Sequence, residues 1–211
     1  VYVADTWNHR VQKFDAQGEF VLSWGTLGQS LDGIELPGAF YGPRGIAVGP
    51  EGNLYVADTG NKRIQVFTPE GEFVRQLGAP GWDLGQFDEP VGVTISATGE
   101  ILVADAWNQR VQVLAPEGVA LRQWPVPVWD AAHPEMKPYV ATDVAGNVYV
   151  TDPLNARVLA FNSQGDFLWS VGQLSSMGVP LSFPQAVAVS ADQILYVTDA
   201  YAGRIVAYEL P

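Results

Sequence analysis

The chain holds two histidines, His9 and His133, and no cysteine. Disulfides, thiolate-ligated zinc and thiol catalysis are therefore excluded. A three-histidine zinc site is excluded as well. One loop gathers titratable types in an unusual order, Trp129-Asp130-Ala131-Ala132-His133-Pro134-Glu135, and Asp130, His133 and Glu135 form a conceivable site there. His9 stands in a slot that other copies of its phrase fill with Lys62, Gln109, Ala156 and Gly203, which reads as a surface position. No Ser/His/Asp arrangement, phosphate-cradling glycine loop or carboxylate pair stands apart from the recurring phrase. The residues assign no catalytic group, no metal and no cofactor.

The remaining chemistry-bearing residues recur. The phrase reads VADTWNHR from Val3, VADTGNKR from Val56, VADAWNQR from Val103, VTDPLNAR from Val150 and VTDAYAGR from Val197. Its aspartates are spaced 53, 47, 47 and 47 residues apart. A period of this length marks a repeat architecture. A group present once per repeat belongs to the building unit before it belongs to a reaction. The pairs are Asp5/Arg10, Asp58/Arg63, Asp105/Arg110, Asp152/Arg157 and Asp199/Arg204. Each Asp ends one apolar run and each Arg starts the next. An antiparallel turn brings the two together as a charge-assisted pair, with Asn closing the turn through its side chain.

The elements between the phrases are short strands. Ile46–Val48, Leu54–Ala57, Arg63–Phe67 and Phe73–Leu77 are β-rich runs separated by Gly, Pro and Asn turns, which predicts a four-stranded meander, strands a to d. No segment shows helical periodicity of useful length. In strand c, Val11/Phe14, Ile64/Phe67, Val111/Leu114, Val158/Phe161 and Ile205/Tyr208 lie three apart and so face opposite sides. A sheet with two apolar faces must be sandwiched. Sheets stacked face to face around a ring make an all-β propeller of four-stranded antiparallel blades. A linear β-solenoid is the rival, but its coils repeat at a shorter interval and lack this up-and-down turn pattern.

The D-x-x-N-x-R core of the first four copies, Val11-Gln12-Lys13-Phe14 after it, and Phe40/Pro43 and Phe87/Pro90 before it resemble the NHL repeat, a propeller-blade family. The last copy departs with Ala202 in place of Asn, and the third blade opening departs with Lys137-Pro138. The resemblance covers residues 1–211 as one propeller. It implies a ring usually closed at six blades. Counting strands gives three, four, four, four and three, about four and a half blades, so the chain reads as a fragment of a six-bladed ring with incomplete first and last blades. Such blades expose faces and edges that favour self-association.

Net charge is −12, from 11 Lys+Arg against 23 Asp+Glu. A phosphate backbone is repelled, so no nucleic-acid partner is expected. Some members of the resembling family bind RNA on a basic face, and that excess is missing here. No signal peptide or membrane-spanning run occurs, and no membrane contact is expected of this segment.

Alternate turns of a meander share a face. The a–b and c–d turns are short and alike. The b–c and d–a connections vary, and binding residues concentrate on such loops. The b–c position two after Asp holds Trp7, Gly60, Trp107, Leu154 and Tyr201, and the d–a connections hold Trp82, Trp129, Asp130, His133 and Met177. The aromatics have two readings, as caps folded over neighbouring blades or as a recognition surface. The expectation is a non-catalytic module that binds protein, peptide or carbohydrate through Trp7, Trp82, Trp107, Trp129, Asp130, His133 and Tyr201. The resemblance implies an extracytoplasmic part of a larger protein. The alternative is a metal-assisted lyase or hydrolase of the six-bladed type.

Overall fold

The computed structural model describes residues 1–30, 36–129, 133, 137–172 and 179–210. Five antiparallel sheets follow one another along the chain. Blade I is β1 (Tyr2–Asp5), β2 (Arg10–Phe14) and β3 (Phe20–Trp24). The next connection carries a short parallel pair, β4 (Thr26–Leu27) with β5 (Ala39–Phe40). Blade II is β6 (Pro43–Val48), β7 (Leu54–Asp58), β8 (Arg63–Phe67) and β9 (Phe73–Leu77). Blade III is β10 (Pro90–Ile95), β11 (Ile101–Asp105), β12 (Arg110–Leu114) and β13 (Ala120–Pro125). Blade IV is β14 (Val140–Thr142), β15 (Val148–Asp152), β16 (Arg157–Phe161) and β17 (Phe167–Gly172). Blade V is β18 (Pro184–Val189), β19 (Ile194–Asp199) and β20 (Arg204–Glu209).

The fold is thus an all-β propeller of four- and three-stranded blades, and the expected strand count of three, four, four, four and three is met. The only helical segments among the described residues are single 3-10 turns. Among the described residues no helix is long and apolar enough to cross a membrane. The innermost strand of blade II starts at Pro43 rather than at Ile46. A register shift between Pro43 and Ile46 explains the difference, since the first part of the strand pairs out of step with the rest.

Burial follows the two-faced pattern of each strand. Between blades I and II, Val11 packs with Phe40, Val56 and Phe67. Between II and III, Tyr55, Ala57, Ile64 and Val66 meet Val93, Ile101, Val103 and Leu114. The same alternation joins III to IV and IV to V. Successive residues of one strand therefore serve two different interfaces, and the blade stack has several cores of one design.

The innermost strands β6, β10, β14 and β18 surround a channel of about 330 Å³, walled by Ile46, Val93, Val140 and Val187 among others. Two glycines let these strands close up. A Cβ on Gly45 would lie 2.3 Å from Val91 O, and one on Gly92 would lie 2.7 Å from Tyr139 Cα. Backbone sits where a side chain would go, so the channel radius depends on both positions.

Candidate functional site

The b–c connection decides what the loop face can present. In blades I, II and IV it is one 3-10 turn, Thr6–Asn8, Thr59–Asn61 or Pro153–Asn155, closed by a residue at positive φ. His9, Lys62, Gln109, Ala156 and Gly203 all hold that left-handed position, at φ between 52° and 60°. The slot is variable in type because backbone geometry, not side-chain chemistry, is what it supplies.

Under each turn the recurring Asp collects donors. Asp58 Oδ2 accepts from Arg63 Nε at 2.8 Å, Asn61 Nδ2 at 2.9 Å and Gln65 Nε2 at 3.0 Å, and Oδ1 accepts from the Tyr41 amide at 2.8 Å. Asp105 repeats the set with Arg110, Asn108, Gln112 and the Asp88 amide. Where Ala202 replaces Asn, Asp199 takes amides of Ser182 and Phe183 instead. All five Asp–Arg pairs are ion pairs of 2.8–3.0 Å. Burial pushes the Asp105 carboxyl up, against the pull of Asn108, the Asp88 amide and Arg110. In the more open blade I, bonds from Arg10 and Asn8 hold Asp5 below the usual carboxylate range.

The guanidinium does more than close the turn. Arg110 donates to the carbonyls of Trp82, Asp83 and Gln86 at 2.6–3.0 Å, and Asn108 Nδ2 donates to Gly81 O at 2.9 Å. Arg63 likewise holds Leu36 O and Ala39 O, and Asn61 holds Gly28 O. The repeat thus fastens the variable d–a loop to the invariable turn. The glutamine two residues after Arg adds to this, since Gln65 and Gln112 each bond a loop carbonyl, Ala39 O and Gln86 O. The R-x-Q spacing of Arg63/Gln65 and Arg110/Gln112 is the signal in sequence for this role.

Neighbouring blades touch across this face through the left-handed slot. The His9 ring stacks on Tyr41, 5.9 Å between centroids and 7° between planes, and Nδ1 accepts from the Gly42 amide. Lys62 Nζ is 2.8 Å from Asp88 Oδ1 at the corresponding place one blade on. Lys137, where the other blades open on proline, extends its ammonium to Glu89 Oε2 at 2.5 Å and lies 6.0 Å from the Trp107 ring centroid. Glu89 itself sits at a φ of 52°.

The aromatics divide by environment. Trp7 and Trp82 are 83% and 76% exposed. Trp107 is 40% exposed beside Lys137. Tyr201 is 76% exposed with one ring face stacked on Phe183 at 4.4 Å. Trp129 is a correction to the binding set, because it is fully buried in the core between blades III and IV with Nε1 donating to Thr151 O at 3.0 Å. A connection that dives into the core satisfies its indole from the next blade, and burial of that kind has no signature in the loop sequence. His133 is exposed, while Asp130, Glu135 and Met177 lie outside the described residues. Trp7, Trp82 and Trp107 share the loop face without ring contact among them. Among the described residues no three His, Asp or Glu side chains converge as a metal site would require.

The NHL repeat family matches this chain twice, at residues 40–67 and 87–114. Peptidyl-glycine alpha-amidating monooxygenase A of Xenopus laevis is 38% identical over 79 residues, 36% of this chain and 8% of that protein. Protein brain tumor of Drosophila melanogaster is 34% identical over 80 residues, 37% of this chain and 7% of that protein. The match therefore spans under a tenth of the length of these relatives. Among solved structures, virginiamycin B lyase from Staphylococcus aureus superposes with a TM-score of 0.64 at 14% identity, over 100% of this chain and 66% of that one. A chain of the nidogen/laminin complex gives a TM-score of 0.63 at 21% identity, over 99% of this chain and 74% of that one. At these identities the structural likeness is one of fold.

Proposed function

We propose that this chain, whose repeats are NHL repeats and whose fold is a β-propeller, is a non-catalytic recognition module that works through its b–c and d–a loops. The observation that carries the reading is the exposure of Trp7, Trp82 and Trp107 on these connections, with the Trp82 loop anchored from below by Arg110 and Asn108. Trp is enriched at binding hot spots, and a fixed backbone lowers the entropy lost on binding. The ligand is a protein, peptide or carbohydrate.

The NHL propellers this chain resembles include enzymes, and the matched relatives and fold neighbours carry monooxygenase and lyase names. Of the conceivable site at Asp130, His133 and Glu135 only His133 is among the described residues, and the other histidine, His9, stacks on Tyr41 and accepts from the Gly42 amide. The test is a labelled full chain on glycan and peptide arrays, scored for saturable binding and for chemical change of the bound probe. Saturable binding of unaltered probe supports the module. Absence of binding on both arrays, or turnover of the probe, overturns it.

A further inference from the structure

Two cavities lie at the opposite end from the exposed indoles, among the a–b and c–d turns. One of about 530 Å³ separates blades III and IV, and one of about 380 Å³ separates blades II and III. Thr98 and Pro116 wall both, so the two join into one groove across blade III. Regular short turns give no hint of concavity in sequence. The groove arises because cations tie each blade to the next at one recurring carbonyl and leave the clefts on either side open. Lys13 donates to Pro69 O, Arg75 to Pro116 O and Arg122 to Ser163 O.

We propose that this groove binds an extended peptide carrying a basic side chain near an apolar one. The smaller cleft is flanked by Glu51 and Glu117, and no ion pair engages either among the described residues. One cation, Arg75, lines the same cleft and donates Nη2 to Pro116 O, which leaves two carboxylates there to one guanidinium. The larger cleft is electrically balanced, because Arg122 binds both Glu100 oxygens at 2.8 Å, and its sides carry the exposed Leu121 and Val144. No aromatic ring lines the larger cleft, so a sugar finds no stacking platform there. Free carboxylates at the other end repel phosphate-bearing ligands. Both volumes fall within the range of small-ligand sites. A groove crossing two clefts suits an extended chain, whose alternate side chains enter successive pockets. This site is separate from the loop face and stands without it.

The test is a two-dimensional ¹H–¹⁵N NMR titration of the full chain with acetyl-Lys-Leu-Lys-Leu-Lys-amide, and in parallel with the peptide that has Glu for every Lys. The lysine peptide is expected to shift the amides of Gly49, Gly99 and Gly146, and the glutamate peptide to leave them in place. The double variant Glu51→Gln/Glu117→Gln, with both changes at the surface, is expected to weaken binding about fivefold. Three results overturn the proposal. They are unmoved amides at about 1 mM lysine peptide, where even a weak complex is half formed, equal shifts with both peptides, and undiminished affinity in the Gln variant.

Discussion

Arg110 Nη1 lies 2.6 Å from the carbonyl oxygen of Trp82, while its Nε lies 2.8 Å from Asp105. One side chain thus joins the repeat's structural carboxylate to an exposed loop residue. The d–a loop of Trp82 is thereby held by the turn beneath it. Loss of the guanidinium frees Trp82, Asp83 and Gln86 carbonyls together and leaves Asp105 buried without its counter-ion.

The five pairs differ in burial, and their mutational cost follows it. Arg63 is 1% exposed and Arg204 is 43% exposed in the side chain. Arg63→Ala or Arg110→Ala is expected to lower stability by about 3–5 kcal/mol, the range for breaking a buried pair. Arg10→Ala is expected to cost about 1 kcal/mol or less, because solvent screens both partners, and Arg204→Ala an intermediate amount, because its guanidinium is open to solvent while Asp199 is buried. Chemical denaturation of the four variants gives the ranking. Equal losses at all four sites would contradict it.

The repeat period, the strand count and the Asp–Arg partnership were legible because each recurs, and recurrence separates scaffold from accident. What the spacing could not show lies in contacts between blades. Trp129 reads as one more loop aromatic, and only its bond to Thr151 O in the next blade reveals a core residue. Lys137 reads as a broken Phe-x-x-Pro pattern, and only space shows that it pairs with Glu89. The groove beside Thr98 is likewise a property of two adjacent blades and of neither sequence alone.

Two packing positions should be intolerant. Trp129→Ala removes a fully buried indole and is expected to cost about 3–5 kcal/mol. Gly92→Ala forces a methyl group against the backbone of β14 and is expected to cost about 1–3 kcal/mol. Thermal melting of each variant checks both. A melting temperature equal to that of the parent chain in either case would refute the packing described for that position.

Acid sensitivity follows from the carboxylates held low. The Arg122 guanidinium holds Glu100 below its ordinary value of 4.5. A carboxylate more acidic in the folded state stabilises the fold above its unfolded pKa, and that contribution disappears as pH falls through the folded one. Stability should therefore drop below about pH 4.5. The drop should be shallower in Glu100→Gln, measured by urea denaturation across that window. A slope unchanged by the substitution would count against the pair as its source.

The acid excess also predicts no RNA binding at about 150 mM salt, where weak contacts are screened and no basic stripe remains to compensate. Fluorescence anisotropy with a labelled single-stranded RNA tests this. Tight binding at that salt would overturn the charge reading.

The central claim is recognition through the exposed indoles. Its most direct test is the affinity of an array-identified ligand for the double variant Trp7→Ala/Trp107→Ala, measured beside its melting temperature. An affinity loss of about tenfold or more is expected, in the range of interface hot spots, with the melting temperature of the parent chain retained. Unchanged affinity together with a lowered melting temperature would make the two indoles caps and contradict it.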